Sequence, residues 1–138
     1  MIVRILFGLM VLAHGLIHLM GFIKAYGLAE IAQLTQAISR PAGLFWLAAS
    51  VLFLAAGVLV LAGAGWWWMV SVPALVLSQV LVVMWWSDAR FGTVANAIVL
   101  AGAVLSCGSW SFRSMAAGEV ASLLGRASAP AAAVNEAD

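Results

Sequence analysis

The stretch ILFGLMVLAHGLIHLMGFI, residues 5–23, decides how this chain is built. It has no charged side chain, and as a helix rising about 1.5 Å per residue it is long enough to cross the hydrocarbon core of a bilayer. It also holds two histidines, His14 and His18, which lie one turn apart on the same helical face. An ionisable side chain at membrane depth is costly, so this pair is a candidate functional site.

The whole sequence has the composition of a membrane protein. Of its 138 residues, 66% are hydrophobic and only 8% are charged, and the mean hydropathy is +1.15. No charged residue occurs between Arg40 and Asp88, a run far longer than the buried elements of a soluble domain. We therefore expect an integral membrane protein in which one apolar bundle contains most of the chain.

Charge and cysteine content exclude several classes of function. The formal net charge of +1 gives no basic field that would attract nucleic acid. Cys107 is the single cysteine, so the chain has neither an internal disulfide nor a CxxC redox pair. A membrane enzyme that transfers disulfides is disfavoured for the same reason.

Four segments, at about residues 3–24, 43–63, 66–86 and 92–112, are long and apolar enough to span a bilayer. The first is too long for the apolar part of a secretory signal, and we interpret it as a retained helix. Backbone groups in lipid must be satisfied within their own segment, which predicts an all-α, four-helix transmembrane bundle over residues 1–112. We expect a multi-pass protein of the plasma or inner membrane. Residues 113–138 are polar and alanine-rich, and we expect a largely disordered tail.

The connections and the aromatic residues fit this arrangement. Residues 28–38 carry Ile31, Leu34 and Ile38 at helical spacing, which predicts a short helix lying in the membrane interface between the first two spans. Tryptophan favours the headgroup level, and tryptophans fall at the proposed ends of the spans. One set of ends has Trp66, Trp67, Trp68 and Trp110, and the other has Trp46, Trp85 and Trp86.

Polar side chains from all four segments fall at similar depths below the face that holds the first and third connections. A rise of about 1.5 Å per residue places His18 about 8 Å deep and Asn96 about 6 Å deep. Ser50 and Gln79 lie about 10 Å deep, and His14 lies one turn below His18. Polar groups avoid lipid and hydrogen-bond across helices, so we expect these five side chains to face inward and to meet in a polar pocket.

Charged residues cluster at the mouth of this predicted pocket, where we expect a charged rim formed by Lys24, Arg40, Asp88 and Arg90. A plainer interpretation is open for the uncharged members of the polar layer. An isolated amide in a bundle often bonds a neighbouring helix, and a helical serine often bonds its own backbone. On this interpretation Gln79, Asn96 and Ser50 only fix helix packing, and the two histidines carry the functional argument.

The histidine pair does not by itself predict a metal or a haem. One helix supplies two ligands, whereas a metal site usually needs three or four, and the chain has no further histidine. Both imidazoles rise from one face of one helix and cannot bind a haem iron from opposite sides. A haem held by one histidine stays possible on this argument. We predict no metal and no cofactor, and leave a quinone open.

Three sequence segments resemble the small bacterial four-helix membrane proteins grouped as DoxX-like. They are AHGLIHLMGFIKAYG at residues 13–27, SRPAGLFWLAA at residues 39–49 and WWSDARFGTVANAIVL at residues 85–100. The resemblance covers about residues 5–110 and implies a four-helix membrane fold. Some members of that group resemble the small membrane subunit of a thiosulfate:quinone oxidoreductase, but no catalytic motif is matched residue by residue here.

These observations favour a small polytopic membrane protein with an inward polar pocket, which handles a small molecule or protons or serves as an accessory subunit. We favour a non-catalytic protein. A quinone-linked oxidoreductase subunit and a purely structural bundle are the alternatives. A multidrug-type exporter is disfavoured, because such transporters need a carboxylate within the membrane and every Asp and Glu here lies outside the predicted spans. The expected partners are the lipid bilayer, a small-molecule ligand, and a second copy or membrane complex, for which small residues spaced four apart on the last span allow close packing.

Overall fold

The computed structural model describes residues 1–128, and within that range it contains helices and turns but no strand. The prediction of an all-α protein is therefore confirmed. The helices are α1 (Ile2–Ala25), α2 (Arg40–Ala62), α3 (Trp68–Met84), α4 (Trp86–Ala89) and α5 (Gly92–Ser128). Three helices are long and apolar enough to cross a membrane, namely α1, α2 and the Gly92–Arg126 part of α5. These helices are those of a membrane protein.

The chain forms two compact units, Met1–Cys107 and Gly108–Asp138, and α5 contributes to both. In the second unit the described residues 108–128 are helical, and residues 113–128 of the predicted tail belong to this helix. Ala, Leu, Met, Glu and Arg all favour helix, and no proline interrupts the segment before Pro130. The hydroxyls of Ser114 and Ser122 each donate to a backbone carbonyl three residues earlier, at 2.8 Å. Residues 129–138, the rest of the predicted tail, lie outside the described residues.

Helices α1 and α2 pack closely because glycines replace side chains where the two helices meet. A methyl group added at Gly15 would lie 3.1 Å from the backbone nitrogen of Leu54, and one added at Gly57 would lie 2.7 Å from the Leu12 side chain. At Gly21 an added methyl group would overlap the indole of Trp46. These glycines therefore set the distance between the helices and give the Trp46 ring its place.

The start and the end of α2 follow ordinary capping rules. Ser39 caps the first turn by accepting a hydrogen bond from the Ala42 amide, and Pro41 occupies an early position where a missing amide donor is tolerated. Gly63 ends the helix with a φ of 75°, a left-handed conformation that glycine adopts without steric cost. The prediction of residues 43–63 thus locates this helix to within three residues at each end.

The segment between α1 and α2 is not the interfacial helix that its spacing predicts. Residues 26–39 form turns, bends and irregular chain. The backbone amides of Thr35 and Gln36 donate to the Asp88 carboxylate, and the Ala37 carbonyl accepts from the Trp85 indole, so groups that a helix would use are bonded elsewhere. Its apolar spacing instead reflects burial, because Leu34 and Ile38 are both inside the protein.

The third predicted span, residues 66–86, is shorter in the structure because the helix breaks at Trp85, which has φ −114° and ψ 43°. The chain restarts at once as the single turn α4. Trp85 is buried at 7% exposure, and so is Trp46 at 3%, whereas Trp66 and Trp86 remain about half exposed at 47% and 52%. Several tryptophans that the sequence places at the headgroup level therefore pack in the core.

We expect Gly21→Ala to lower stability in detergent by about 1–3 kcal/mol, because the added methyl group forces the Trp46 indole to move in a packed interior. Gly118→Ala is the matched control, since Gly118 lies in α5 with open space around it and the change improves helix propensity. Unfolding of both variants in mixed micelles measures the difference. Equal stabilities for the two variants would contradict the packing argument.

Candidate functional site

The Asn96 side chain on α5 joins polar groups from α1 and α3 in the interior. Its carbonyl oxygen Oδ1 accepts a hydrogen bond from His14 Nε2 at 2.9 Å and a second from the Ser78 hydroxyl at 3.0 Å. All three residues are buried, with exposures of 5%, 4% and 0% for Asn96, His14 and Ser78. In apolar surroundings such bonds satisfy groups whose isolation would be costly.

His18 extends this network along α1. Its Nε2 lies 2.8 Å from the Ser78 Oγ. A serine hydroxyl has one hydrogen, and Ser78 gives it to Asn96, so the Ser78 oxygen accepts from His18 and His18 Nε2 carries a proton. The hydrogen bonds therefore run in one direction, from His18 through Ser78 to Asn96.

A second arm of the network runs from Asn96 to Gln79 and Thr93. The Asn96 amide Nδ2 donates to Gln79 Oε1 at 3.1 Å, and Gln79 Nε2 donates to the Thr93 hydroxyl at 3.4 Å. Gln79 is partly buried, on the side of α3 next to α5. Asn96 thus makes three hydrogen bonds and links both arms, which is nearly its full capacity.

The structure brings together four of the five predicted pocket residues, His14, His18, Gln79 and Asn96. Ser50 is buried on α2 at 1% exposure, but it is not one of the side chains that form the network in the described part of the chain. The sequence prediction missed Ser78, which occupies the place expected for Ser50. The signal for Ser78 in the sequence is its position beside Gln79 at a similar depth.

Aromatic rings enclose the two imidazoles. The His18 ring stacks on Phe53 with centroids 5.5 Å apart and an angle of 7°, and it lies 5.2 Å from the Trp46 ring. The His14 ring meets Phe53 edge to face at 4.6 Å and lies 4.8 Å from His18. Phe53 and His18 are fully buried, so this wall is rigidly packed.

A cavity of about 200 Å³ lies beside this wall. α1 supplies both imidazoles to its lining, and α2 supplies Trp46. Its other sides come from the connection before α2 and from the region around α4. The remaining lining residues are Ile17, Met20, Gln33, Leu34, Val82, Asp88, Ala89, Phe91 and Gly92.

Two polar atoms of the cavity-lining side chains are left without partners. Within residues 1–128, His18 Nδ1 and the indole nitrogen Nε1 of Trp46 are buried and have no hydrogen-bond partner. Most buried polar groups in native proteins are bonded, and one left unsatisfied costs about 1–3 kcal/mol. Each of these two atoms has less than 1 Å² of accessible surface, so other parts of the protein cover them and they do not form part of the cavity surface.

The predicted rim residues have separate roles. Asp88 lines the cavity and accepts three hydrogen bonds, from the Gln36 amide at 2.8 Å, from the Thr35 hydroxyl at 2.7 Å and from the Thr35 amide at 2.6 Å. Lys24 is partly exposed at the end of α1, and its charge acts on Asp88. The two remaining cations lie against aromatic rings, Arg40 at 6.0 Å from the Tyr26 centroid and Arg90 at 5.2 Å from the Phe91 centroid.

These bonds control the acidity of Asp88. The Gln36 backbone amide and the Thr35 hydroxyl lower the pKa of the Asp88 carboxyl below its usual value of 3.8, and the Thr35 amide and the Lys24 charge act in the same direction. The carboxylate therefore ties the connection before α2 to α4. The Gln36 side-chain amide also donates to the Ser87 hydroxyl, which adds a second tie at the same place.

The metal-ligating residue types are dispersed. In residues 1–128 no three His, Cys, Asp or Glu side chains are grouped closely enough to share a metal ion. Comparison of the chain with protein-family models, with curated proteins and with solved structures gives no match. The argument for function therefore depends on the geometry of the cavity and its polar wall.

We expect Asn96→Ala and His14→Ala each to destabilise the protein and to be coupled, because each removes a partner of the same hydrogen bond. Interhelical hydrogen bonds in membrane proteins give coupling energies of about 0.6 kcal/mol on average and up to about 1.7 kcal/mol. Unfolding of the two single variants and the double variant in mixed micelles measures this value. His14→Ala combined with Ser71→Ala is the control pair, because the Ser71 hydroxyl donates to its own helix backbone. Additive effects for the His14 and Asn96 pair would contradict the hydrogen bond.

We expect the Thr35 and Gln36 amide proton shifts to titrate together with a midpoint below 3.8, because Asp88 must be protonated before these bonds weaken. The folded pKa is lowered, so Asp88 stabilises the connection above the unfolded pKa and the effect is lost as the pH falls through the folded pKa. Isotope-edited NMR in micelles gives the midpoint. Asp88→Asn should abolish the titration, whereas Glu30→Gln, which alters an acid in the same connection, should not. A midpoint at or above 3.8 would refute the assignment.

Proposed function

We propose that the chain is a four-span membrane protein. Its cavity binds a small, mostly apolar molecule about the size of one substituted six-membered ring. The fourth span in this proposal is α3. It has 17 residues and a length of about 25 Å, slightly less than the hydrocarbon core of about 30 Å. Buried Ala74, Leu75 and Leu81 support its place in the bundle. A plasma or inner membrane location and membership of the DoxX-like group remain proposals that rest on the sequence.

The observation that carries the binding proposal is the cavity itself, whose mostly apolar wall includes both imidazoles. Ligand sites are typically apolar cavities with a few polar groups that fix orientation. The cavity matches that description, because apolar side chains form most of its wall and its few polar lining residues are His14, His18, Gln33 and Asp88.

Cavity size indicates the size of the molecule. An engineered cavity of about 150 Å³ in another protein binds benzene. The cavity here, at about 200 Å³, therefore has room for one substituted six-membered ring or an aliphatic group of similar bulk. A longer apolar tail would have to leave the cavity beside an exposed lining residue, and Phe91, which is 75% exposed, lies at such an edge.

The hydrogen-bond pattern favours binding over proton transfer. A proton relay needs groups that accept a proton on one side and release one on the other. In the network Asn96 lies between the two imidazoles. Its carbonyl oxygen accepts one hydrogen bond from His14 and one from Ser78. A side-chain amide oxygen that accepts two hydrogen bonds has no proton to donate, so it does not transfer a proton from one imidazole to the other. The network therefore orients the imidazoles, and the same pattern gives no nucleophile and base pair for catalysis.

We expect p-cresol, used as a one-ring probe, to bind the purified protein in detergent and Ala89→Leu to abolish binding. The larger side chain fills the cavity, which Ala89 lines from α4. Saturation-transfer NMR detects the bound probe, and Ala32→Leu is the matched control because Ala32 is exposed and does not line this cavity. The control also corrects for probe dissolved in the micelle.

Equal signals from the wild type, Ala32→Leu and Ala89→Leu would mean that the probe lies only in the micelle, and the binding proposal would fail. If the wild type binds no probe and Ala89→Leu only lowers stability, the purely structural alternative would be favoured. Native mass spectrometry of protein from its own membranes then identifies the retained molecule by mass.

A further inference from the structure

We infer that the molecule bound in this cavity enters it sideways from the bilayer, through an opening that Ile17 and Phe91 border. This inference rests on the proposed function and deepens it, because it makes the ligand an apolar molecule dissolved in the membrane. It follows from which lining residues are exposed and from the hydrogen bonds that close another part of the wall.

Three of the residues that line the cavity are exposed, and they mark its open edge. Ile17 on α1 is 57% exposed, and Phe91, just before α5, is 75% exposed. The third is Gln33, in the connection before α2. The wall behind them is buried, as at Trp46 with 3% exposure and Val82 with 1%. A ligand therefore enters or leaves past the exposed edge.

The depth of Ile17 decides what this edge faces. With a rise of about 1.5 Å per residue, Ile17 lies about 10 Å further into the span than Lys24, which is in the last turn of α1. At that depth hydrocarbon surrounds a membrane-spanning helix. Gln33 and Phe91 belong to connections at the same end of the bundle as Lys24. The opening therefore runs from the membrane interface down into the hydrocarbon.

Hydrogen bonds between the connection before α2 and α4 close the cavity wall where these two segments meet. Leu34 and Asp88 line the cavity, one from each segment. Thr35, which follows Leu34, donates to Asp88 through its amide at 2.6 Å and through its hydroxyl at 2.7 Å. The Gln36 amide donates to the same carboxylate, and the Gln36 side chain donates to Ser87. A ligand that passed between these segments would first have to break these bonds.

The start of α5 leaves space behind the opening because its first residue is glycine. Gly92 lines the cavity, and a methyl group added there would lie 2.9 Å from a side-chain carbon of Val82 and 4.0 Å from the His14 ring. A larger residue at this position would therefore narrow the space between the opening and His14.

The chemistry of the edge limits the class of ligand. Ile17, Phe91 and Gly92 have neither charge nor a side-chain hydrogen-bonding group. A charged or strongly polar molecule would lose its hydration at this edge and gain no polar contact from these side chains in return. A neutral apolar molecule that is already dissolved in the bilayer has no such cost. The opening thus fits a neutral hydrophobic ligand that partitions into membranes.

The exchange rate of a one-ring probe tests the route, since occupancy at equilibrium does not depend on the path of entry. The probe is p-fluorotoluene, and fluorine exchange NMR of the full-length protein in lipid nanodiscs gives its association and dissociation rates. We expect Ile17→Trp to slow both rates about tenfold, because a narrower opening raises the barrier in both directions. Leu16→Trp is the matched control, since Leu16 is 54% exposed on α1 and does not line the cavity.

The opposite change comes from Phe91→Ala, which should speed both rates because it removes a side chain from the opening. Phe45→Ala is its control, since Phe45 is 56% exposed on α2 and lies outside this cavity. The double variant Thr35→Ala and Gln36→Ala loosens the bonded wall without altering a lining residue, and it should leave both rates unchanged. Circular dichroism and gel filtration check that each variant is folded.

The pattern of rates separates an opening from a wall. A residue that only contacts the bound probe would change mainly the dissociation rate, whereas a residue at the opening changes both rates together. Wild-type rates in Ile17→Trp would overturn the inference. Stronger slowing by Gln33→Trp than by Ile17→Trp, or faster exchange in the double variant, would place the route on the water side and would also overturn it.

Two further results distinguish this inference from the proposed function. A dimer in native mass spectrometry that becomes a monomer in Ile17→Trp would mean that a second copy covers the edge, and the inference would fail. In each of these cases the probe still binds, so the binding proposal stands. If p-fluorotoluene does not bind the wild type, or binds it and Ala89→Leu equally, the proposed function itself fails.

Discussion

The low tolerance of an apolar interior for unpaired polar groups governs this structure. Asn96 meets that constraint for three helices, because its one side chain satisfies His14, Ser78 and Gln79. Ser78 donates to Asn96 and accepts from His18 Nε2, so it fixes which nitrogen of the His18 ring holds the proton. The two imidazoles that this network orients also line the cavity. Oriented polar side chains beside free space are the basis for proposing a binding site.

Much of the fold could be predicted from sequence, because hydrophobic segments of membrane length leave the backbone little choice but helix. Lys24, Ser39, Pro41 and Gly63 mark ends of α1 and α2, because each residue type favours a particular position at a helix end. These preferences can be recognised in the sequence without knowledge of the tertiary structure. The connection before α2 was mispredicted as a helix because spacing alone does not distinguish a helical face from a chain buried by other means. Asp88, 52 residues away from Gln36, bonds backbone amides of this connection that a helix would use, and no local pattern shows such a bond.

Part of the candidate site could also be predicted from the sequence. Depth along a helix follows from residue number, so the sequence alone groups His14, His18, Gln79 and Asn96. Rotation about the helix axis is harder to predict, because α2 and α3 are mostly apolar and their few polar residues do not fix which face is internal. Ser50 and Ser78 have similar depth and chemistry, and only packing decides that α3 presents its serine to the network. Trp46 shows the same limit, since tryptophan suits both the headgroup region and the core.

The bonds of Asp88 link the water-exposed end of the protein to its apolar interior. The carboxylate fastens the connection that carries Gln33 and Leu34, and both residues line the cavity. Thermodynamic reciprocity requires that any occupant which binds more tightly when this connection is fastened also makes the carboxylate harder to protonate, by the same free energy. The pH outside the bilayer would then change how tightly the cavity binds its occupant, and the occupant would in turn change how readily Asp88 is protonated.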